Sequence, residues 1–130
     1  MTTNVLAIPL AQVTVVTGTN EDWIDSILYL VGPEPITPES SQFDLSGIEF
    51  QMEVRRNADD HEVILDASTK EKTLAIGPPP DFGYLLILIP YDEMKYLHPG
   101  EYVADITASA DGYTRRVVLI NLTIIEGVTK

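Results

Sequence analysis

The run "GIEFQMEVRR" constrains this chain more than any other stretch. Ile48, Phe50, Met52 and Val54 alternate with Glu49, Gln51, Glu53 and Arg55. Successive side chains of a strand point to opposite faces, so one face of this segment must be buried and the other must meet water or a partner. Such a strand needs neighbours in a sheet and a second layer over its apolar face.

The rest of the chain supplies them. "QVTVVTG" is β-branched and closed by Gly18 and Asn20. "DWIDSILYLV" also permits a helix, since Ile24, Ile27, Leu28 and Val31 have helical spacing, but its β-branched and aromatic content favours a strand. "GPEPITPESSQFDLSG" is rich in proline, serine and glycine and is read as a loop without a ladder, its "FDLSG" turning into the next strand. "NADD" is a turn. "HEVILDAST" and "KTLAIG" are short strands around a turn near Lys70, and "PPPDFG" is a rigid spacer. "YLLILIP" is apolar in both phases and is expected to be central in a sheet and covered on both sides. "YDEMKYL" has the length of one or two helical turns, with Tyr91 and Met94 inward. The chain ends on a long hairpin. Tyr102, Ala104, Ile106 and Ala108 share one face, Asp111-Gly112 accepts the positive φ of a tight turn, and "TRRVVLINLTIIEG" returns.

Seven to eight strands and one short helical turn predict an all-β, Ig-like antiparallel β-sandwich, with a small closed barrel as the alternative. The expected core is Ile48, Phe50, Met52, Val54, Leu86, Leu88, Tyr102, Ile106 and Leu119. A length of 130 residues fits one domain over 1–130. The apolar residues 1–10, "MTTNVLAIPL", precede the first strand and are read as an arm laid on a neighbour. They lack the basic start of a signal peptide, and no segment reaches the ~20 apolar residues of a membrane helix.

The formal charge of -12 disfavours nucleic acid, whose phosphates an acidic chain repels. Eight acids and no Lys or Arg precede Arg55; twelve acids and eight bases lie from there on, giving about -8 and -4. The absence of cysteine excludes disulfides and thiolate metal sites. His61 and His98 both sit in turns and lack the ligand spacing of a zinc site. "NADDHE" and "NEDWID" gather oxygens but not in the pattern of a calcium loop. No GxSxG, Walker or GxGxxG motif is present. The expectation is therefore no enzyme, with no catalytic, metal or cofactor-binding residues. The candidate partner contacts are the basic pairs Arg55-Arg56 and Arg115-Arg116, against the acidic N-terminal region of a neighbouring copy, and Trp23; the alternatives are pairing of the arginines with the chain's own acids and packing of Trp23 in or over the core. Tyr29, Phe82 and Tyr113 would join Trp23 in a second reading, a carbohydrate- or receptor-binding sandwich.

"FDLSGIEFQMEVRR", "LDAST", "LHPGEYVADI" and the closing "EGVTK" together resemble a module of tailed bacteriophages and prophages, the β-sandwich of small tail-associated proteins and of baseplate-upper or fibre N-terminal parts. Leu45, Ser46 and Gly47 match its first turn, and Val54 and Arg55 the strand end. Pro99, Gly100, Tyr102 and Asp105 match its corner, and Val128 and Thr129 its finish. The likeness spans roughly 12–129 and departs at Ala104, where the family commonly carries an aromatic, and in the proline loop at 33–38. It implies a non-catalytic structural protein of the virion, made in the host cytoplasm. Its partners would be other phage structural proteins and copies of itself in a symmetric assembly, with no nucleic acid and no membrane.

Overall fold

The computed structural model describes Val5 and residues 8–19, 21–31, 41–78 and 82–126. The strands are β1 (Ala11–Gly18), β2 (Trp23–Leu28), β3 (Leu30–Val31), β4 (Ser41–Gln42), β5 (Glu49–Arg55), β6 (Leu65–Ser68), β7 (Leu74–Ile76) and β8 (Tyr84–Ile89). The short helix α1 (Tyr91–Met94) follows, and then β9 (Gly100–Ala110) and β10 (Tyr113–Ile125). A five-stranded sheet of order β1-β10-β9-β5-β6 faces a three-stranded sheet of order β2-β8-β7, while β3 and β4 form a separate two-stranded ribbon. That order, with the last two strands central in the larger sheet, is immunoglobulin-like. The expected sandwich is therefore the observed fold.

Among the described residues its pairing is antiparallel except at one place. β1 runs parallel to β10, from Ala11 beside Val118 to Gly18 beside Ile125. The ribbon is a second departure, because Ser41 and Gln42, in the segment read as a loop, pair with Val31 and Leu30 at the end of the strand reading of "DWIDSILYLV". Here the backbone of Tyr29 organises the chain. Its N–H donates to Gly83 and its carbonyl accepts from Phe43, at 2.9 and 3.0 Å. The Gln42 side chain accepts from the Gly83 N–H at 2.8 Å. Only glycine fits there, since a Cβ on residue 83 would stand 2.6 Å from Gln42 Cβ and 2.9 Å from the Tyr29 carbonyl.

The alternation of β5 is realised fully. Phe50, Met52 and Val54 are buried against the second sheet, as are Ile48, Tyr102 and Ile106. Leu86, Leu88 and Leu119 were expected beside them and are not in the core. In β8 the inward residues are Leu85, Ile87 and Ile89, and Leu88 is 37 % exposed. The strand is central in its sheet, as expected, but on its outer face Leu88 is exposed and Tyr84 and Leu86 are only half-buried, unlike the fully buried inner face. Leu119 faces out because the register of β10 against β9 slips between Arg116 and Val118. The extra residue, Val117, makes a β-bulge, and both Val117 and Val118 are buried. Beyond the bulge, Val118, Ile120, Leu122 and Ile124 point inward. The bulged carbonyl of Val117 accepts a hydrogen bond from the buried Tyr29 hydroxyl at 2.8 Å.

Two corners close the ends. Between β8 and β9, α1 buries Met94, the following turn buries Leu97, and Tyr91 stays 52 % exposed rather than packing inward. The Tyr102 hydroxyl then donates to the His98 carbonyl, four residues upstream, at 2.6 Å. This is the tyrosine corner of immunoglobulin-like domains. Ala104 stands two residues later, where antibody domains carry a disulfide cysteine, so this core closes by apolar packing alone. At the hairpin tip, Asp111 and Gly112 have φ of 54° and 82°, as the turn requires.

The N-terminal reading needs correction as well. Val5 and Ile8 belong to the core, 1 % and 0 % exposed, and the Ile8 N–H donates to the Val5 carbonyl. A turn that buries two branched side chains under its own sandwich is not free to lie on a neighbour. The other residues of that proposed arm, apart from Pro9 and Leu10, lie outside the described residues, as do 32–40 of the proline loop.

Candidate functional site

The acids of "NEDWID" are engaged in structure. Glu21 accepts from the Gly18 N–H at 2.7 Å and from the Thr17 hydroxyl at 3.2 Å, which finishes β1. Asp22 accepts from the Tyr91 N–H at 2.7 Å and so ties β2 to the start of α1. Asp25 accepts from the Trp23 indole N–H at 2.9 Å. In "NADDHE" the Asp60 N–H donates to the Asn57 carbonyl, which closes an exposed turn. No group of three or more His, Asp or Glu with metal-binding geometry occurs among the described residues.

Trp23, expected to offer a surface to a partner, is in the core at 1 % exposed. A large ring at an inward position of β2 fills the space between the sheets, and only its polar N–H reaches a partner at the edge. Tyr29 is also buried, which pushes its hydroxyl pKa far above the ordinary tyrosine value. Of the four aromatics that would form a stacking platform, only Phe82 and Tyr113 are exposed.

The basic pairs are separated by the fold. Arg55 lies on the outer face of the five-stranded sheet and bonds Glu53 at 2.9 Å. Arg116 lies on the same face, 2.7 Å from Asp105. These two flank a shallow groove of about 430 Å³ whose floor includes Val103 and Leu119. Arg56 instead turns its guanidinium over the Tyr102 ring, 5.2 Å from its centre. Arg115 falls in the inward phase near the hairpin tip, opposite Ala108. The Nε atoms of Arg55 and Arg115 are buried and make no hydrogen bond. Three of the four arginines are thus engaged with their own chain. Exposed pairs of this kind contribute only ~0–1 kcal/mol each. Among the described residues the N-terminal acids do not form one surface either. Asp22 and Asp25 border the small sheet, whereas Glu49 and Glu53 lie on the outside of the large one.

The surface that the sequence reading missed is the outer face of the three-stranded sheet. Register places its side chains in rows: Ile24 beside Leu88, then Ser26, Leu86 and Ala75, then Leu28 beside Tyr84. None of these is charged, in a chain of net charge -12. Ile24 is 68 % exposed, and Leu28 and Leu88 are 37 % each. The outer face of the larger sheet differs, since Glu49, Glu53, Asp66, Glu101 and Asp105 all point outward there. A signal is present in "YLLILIP": an apolar run in both phases fits either a covered sheet or an apolar surface.

Of the residues that carried the resemblance to phage modules, Leu45, Ser46, Gly47, Gly100 and Tyr102 build a turn and a corner, Val54, Arg55 and Asp105 lie in strands, and Val128 and Thr129 lie outside the described residues. Asp44 accepts from both the N–H and the hydroxyl of Ser46, Leu45 is fully buried, and Gly47 has φ of 80°. Gly100 and Tyr102 make the corner. A scan against protein-family models found no match to the chain, and a search of the curated proteins found none similar to it.

Proposed function

We propose that this chain is a non-catalytic structural module of a tailed-bacteriophage virion, associated with the tail, baseplate or fibre, and that it works through contacts with other proteins. The observation that carries the reading is the uncharged apolar outer face of β2-β8-β7. A sheet face of this kind is stabilised by a partner, and charged side chains would be the economical choice were it only to meet water. The immunoglobulin-like frame supports the same reading, because it presents that face as one layer of a packed sandwich. The turn and corner motifs, in the order found in small phage tail proteins, supply the virion context.

The test is to purify particles of the phage or prophage that encodes the chain. Mass spectrometry should find the protein at a fixed copy number relative to the major tail protein, and deletion of its gene should leave particles defective at the tail end by electron microscopy. Absence of the protein from purified particles would refute the virion reading. Binding to an array of host-surface glycans, lost on Tyr113→Ala, would transfer the function to the receptor-binding class.

A further inference from the structure

We propose that the outer face of the β2-β8-β7 sheet docks on the same face of a second copy of this chain, about a twofold axis through Leu86. This inference rests on the assembly reading above and names the partner of its contact surface.

The chemistry of the face selects that occupant. A basic partner would require carboxylates at the contact, and a polar one would require donors and acceptors. The face offers neither, apart from the Ser26 and Tyr84 hydroxyls. Its match is another uncharged apolar sheet, and this chain carries one. Elsewhere a copy of net charge -12 meets acids, as on β5, β6 and β9, and is repelled. The rows suit self-pairing. A twofold axis at the middle row sets Ile24 and Leu88 of one copy over Leu28 and Tyr84 of the other. The two Leu86 side chains meet at the axis, and the small Ser26 and Ala75 beside each leave room for them to lean past one another. Two twisted sheets stacked in this way pack about 10 Å apart.

Edge-to-edge growth is the competing geometry, and one residue opposes it. Asp25 occupies an inward position of the edge strand β2 yet is exposed. Joining two β2 edges would bring the two Asp25 carboxylates together, a common protection of sheet edges. Stacking of faces leaves both in water.

The size of the face sets the strength. β2 and β8, six residues each, are about 20 Å long and the three-residue β7 about 10 Å, which at about 4.7 Å of width per strand makes roughly 240 Å² of face per copy. A stable interface buries about 800 Å² on each partner. The isolated dimer is therefore weak and becomes occupied where copies are held close, as in a particle.

Sedimentation equilibrium on the full chain, over about 10 μM to 1 mM, covers the range of a weak contact. The expected result is a reversible monomer–dimer equilibrium that tightens as salt is raised, because salt screens the repulsion of like-charged copies and strengthens apolar burial. Leu88→Lys should weaken it at least tenfold. Ile24→Lys, at a more exposed edge position, should do the same if the first variant folds poorly. Val16→Lys, on the outside of the other sheet, should leave it unchanged, with circular dichroism confirming the fold of each. A chain that stays monomeric throughout, or a dimer that survives both face variants, overturns the proposal. A monomeric chain that is nonetheless present in virions overturns only the self-pairing, whereas a face-dependent dimer absent from virions overturns only the virion assignment.

Discussion

Tyr29→Phe isolates a single bond between the strand ribbon and the β10 bulge. Tyr29 is 4 % exposed, and its hydroxyl donates to the Val117 carbonyl at 2.8 Å. The ring also packs edge-on to Phe43, with centres 6.5 Å apart, and phenylalanine keeps that contact. The substitution therefore removes one hydroxyl and leaves one buried carbonyl with less hydrogen bonding. A lost hydrogen bond of this kind costs about 1–3 kcal/mol when the remaining partner stays buried. With an unfolding entropy of roughly 2.1 cal/mol/K per residue, that is a fall in Tm of about 4–11 °C for a chain of this size. The assay is thermal unfolding followed by circular dichroism, with Tyr113→Phe as the exposed control, expected within about 0.5 kcal/mol of the parent. If Tyr29→Phe melts within a degree of the parent, the bulged carbonyl has another donor, and the hydroxyl does not hold the bulge.

Ile8→Ala should lower stability by about 2–5 kcal/mol in denaturant titration, as for a fully buried branched side chain; an arm lying on a neighbour would show almost no change in the isolated chain. Gly83→Ala should destabilise the fold and should not be rescued by further apolar substitution nearby, because the clash is with the Tyr29 carbonyl and Gln42 Cβ. Glu93→Gln should raise Tm at neutral pH. Partial burial, together with Glu71 and Asp66, pushes the Glu93 carboxyl pKa up, so the charged form is disfavoured in the fold. For an acid shifted upward the cost is present above its folded pKa and disappears in acid, where both states hold the proton. The gain should therefore vanish in melts run below about pH 4.

Legibility followed the information content of each strand. In β5 the polar and apolar residues alternate, and the face assigned to Phe50, Met52 and Val54 is the face observed. In β8 every residue from Tyr84 to Ile89 is apolar or aromatic, so a period of two carries no phase. Which leucines turn inward is decided by pairing with β2 and β7 and by the sheet opposite. The β10 error has a different cause. One extra residue at Val117 reverses the phase downstream, and a local pattern cannot count residues on the partner strand. The adjacent Arg115 and Arg116, followed by adjacent buried valines, are the trace this leaves in sequence. Turn chemistry was legible at Asp111-Gly112 because the backbone there demands it. The exposed apolar face was not, since an apolar strand residue under a second layer and one left at the surface have the same side chain.

The parallel union of β1 with β10 fixes how the domain bears load. Ala11 lies beside Val118 and Gly18 beside Ile125, so tension that draws Ala11 and Ile125 apart slides the two strands along their shared axis. The ladder bonds run across that axis and are loaded together, in shear. An antiparallel terminal pair pulled from the same end would instead open like a zipper, one bond at a time. In a single-molecule extension experiment on a chain held beyond these two strands, the domain should yield in one abrupt event. Shifting the attachment so that β9 and β10 are peeled from their hairpin end should lower the force at which it gives way.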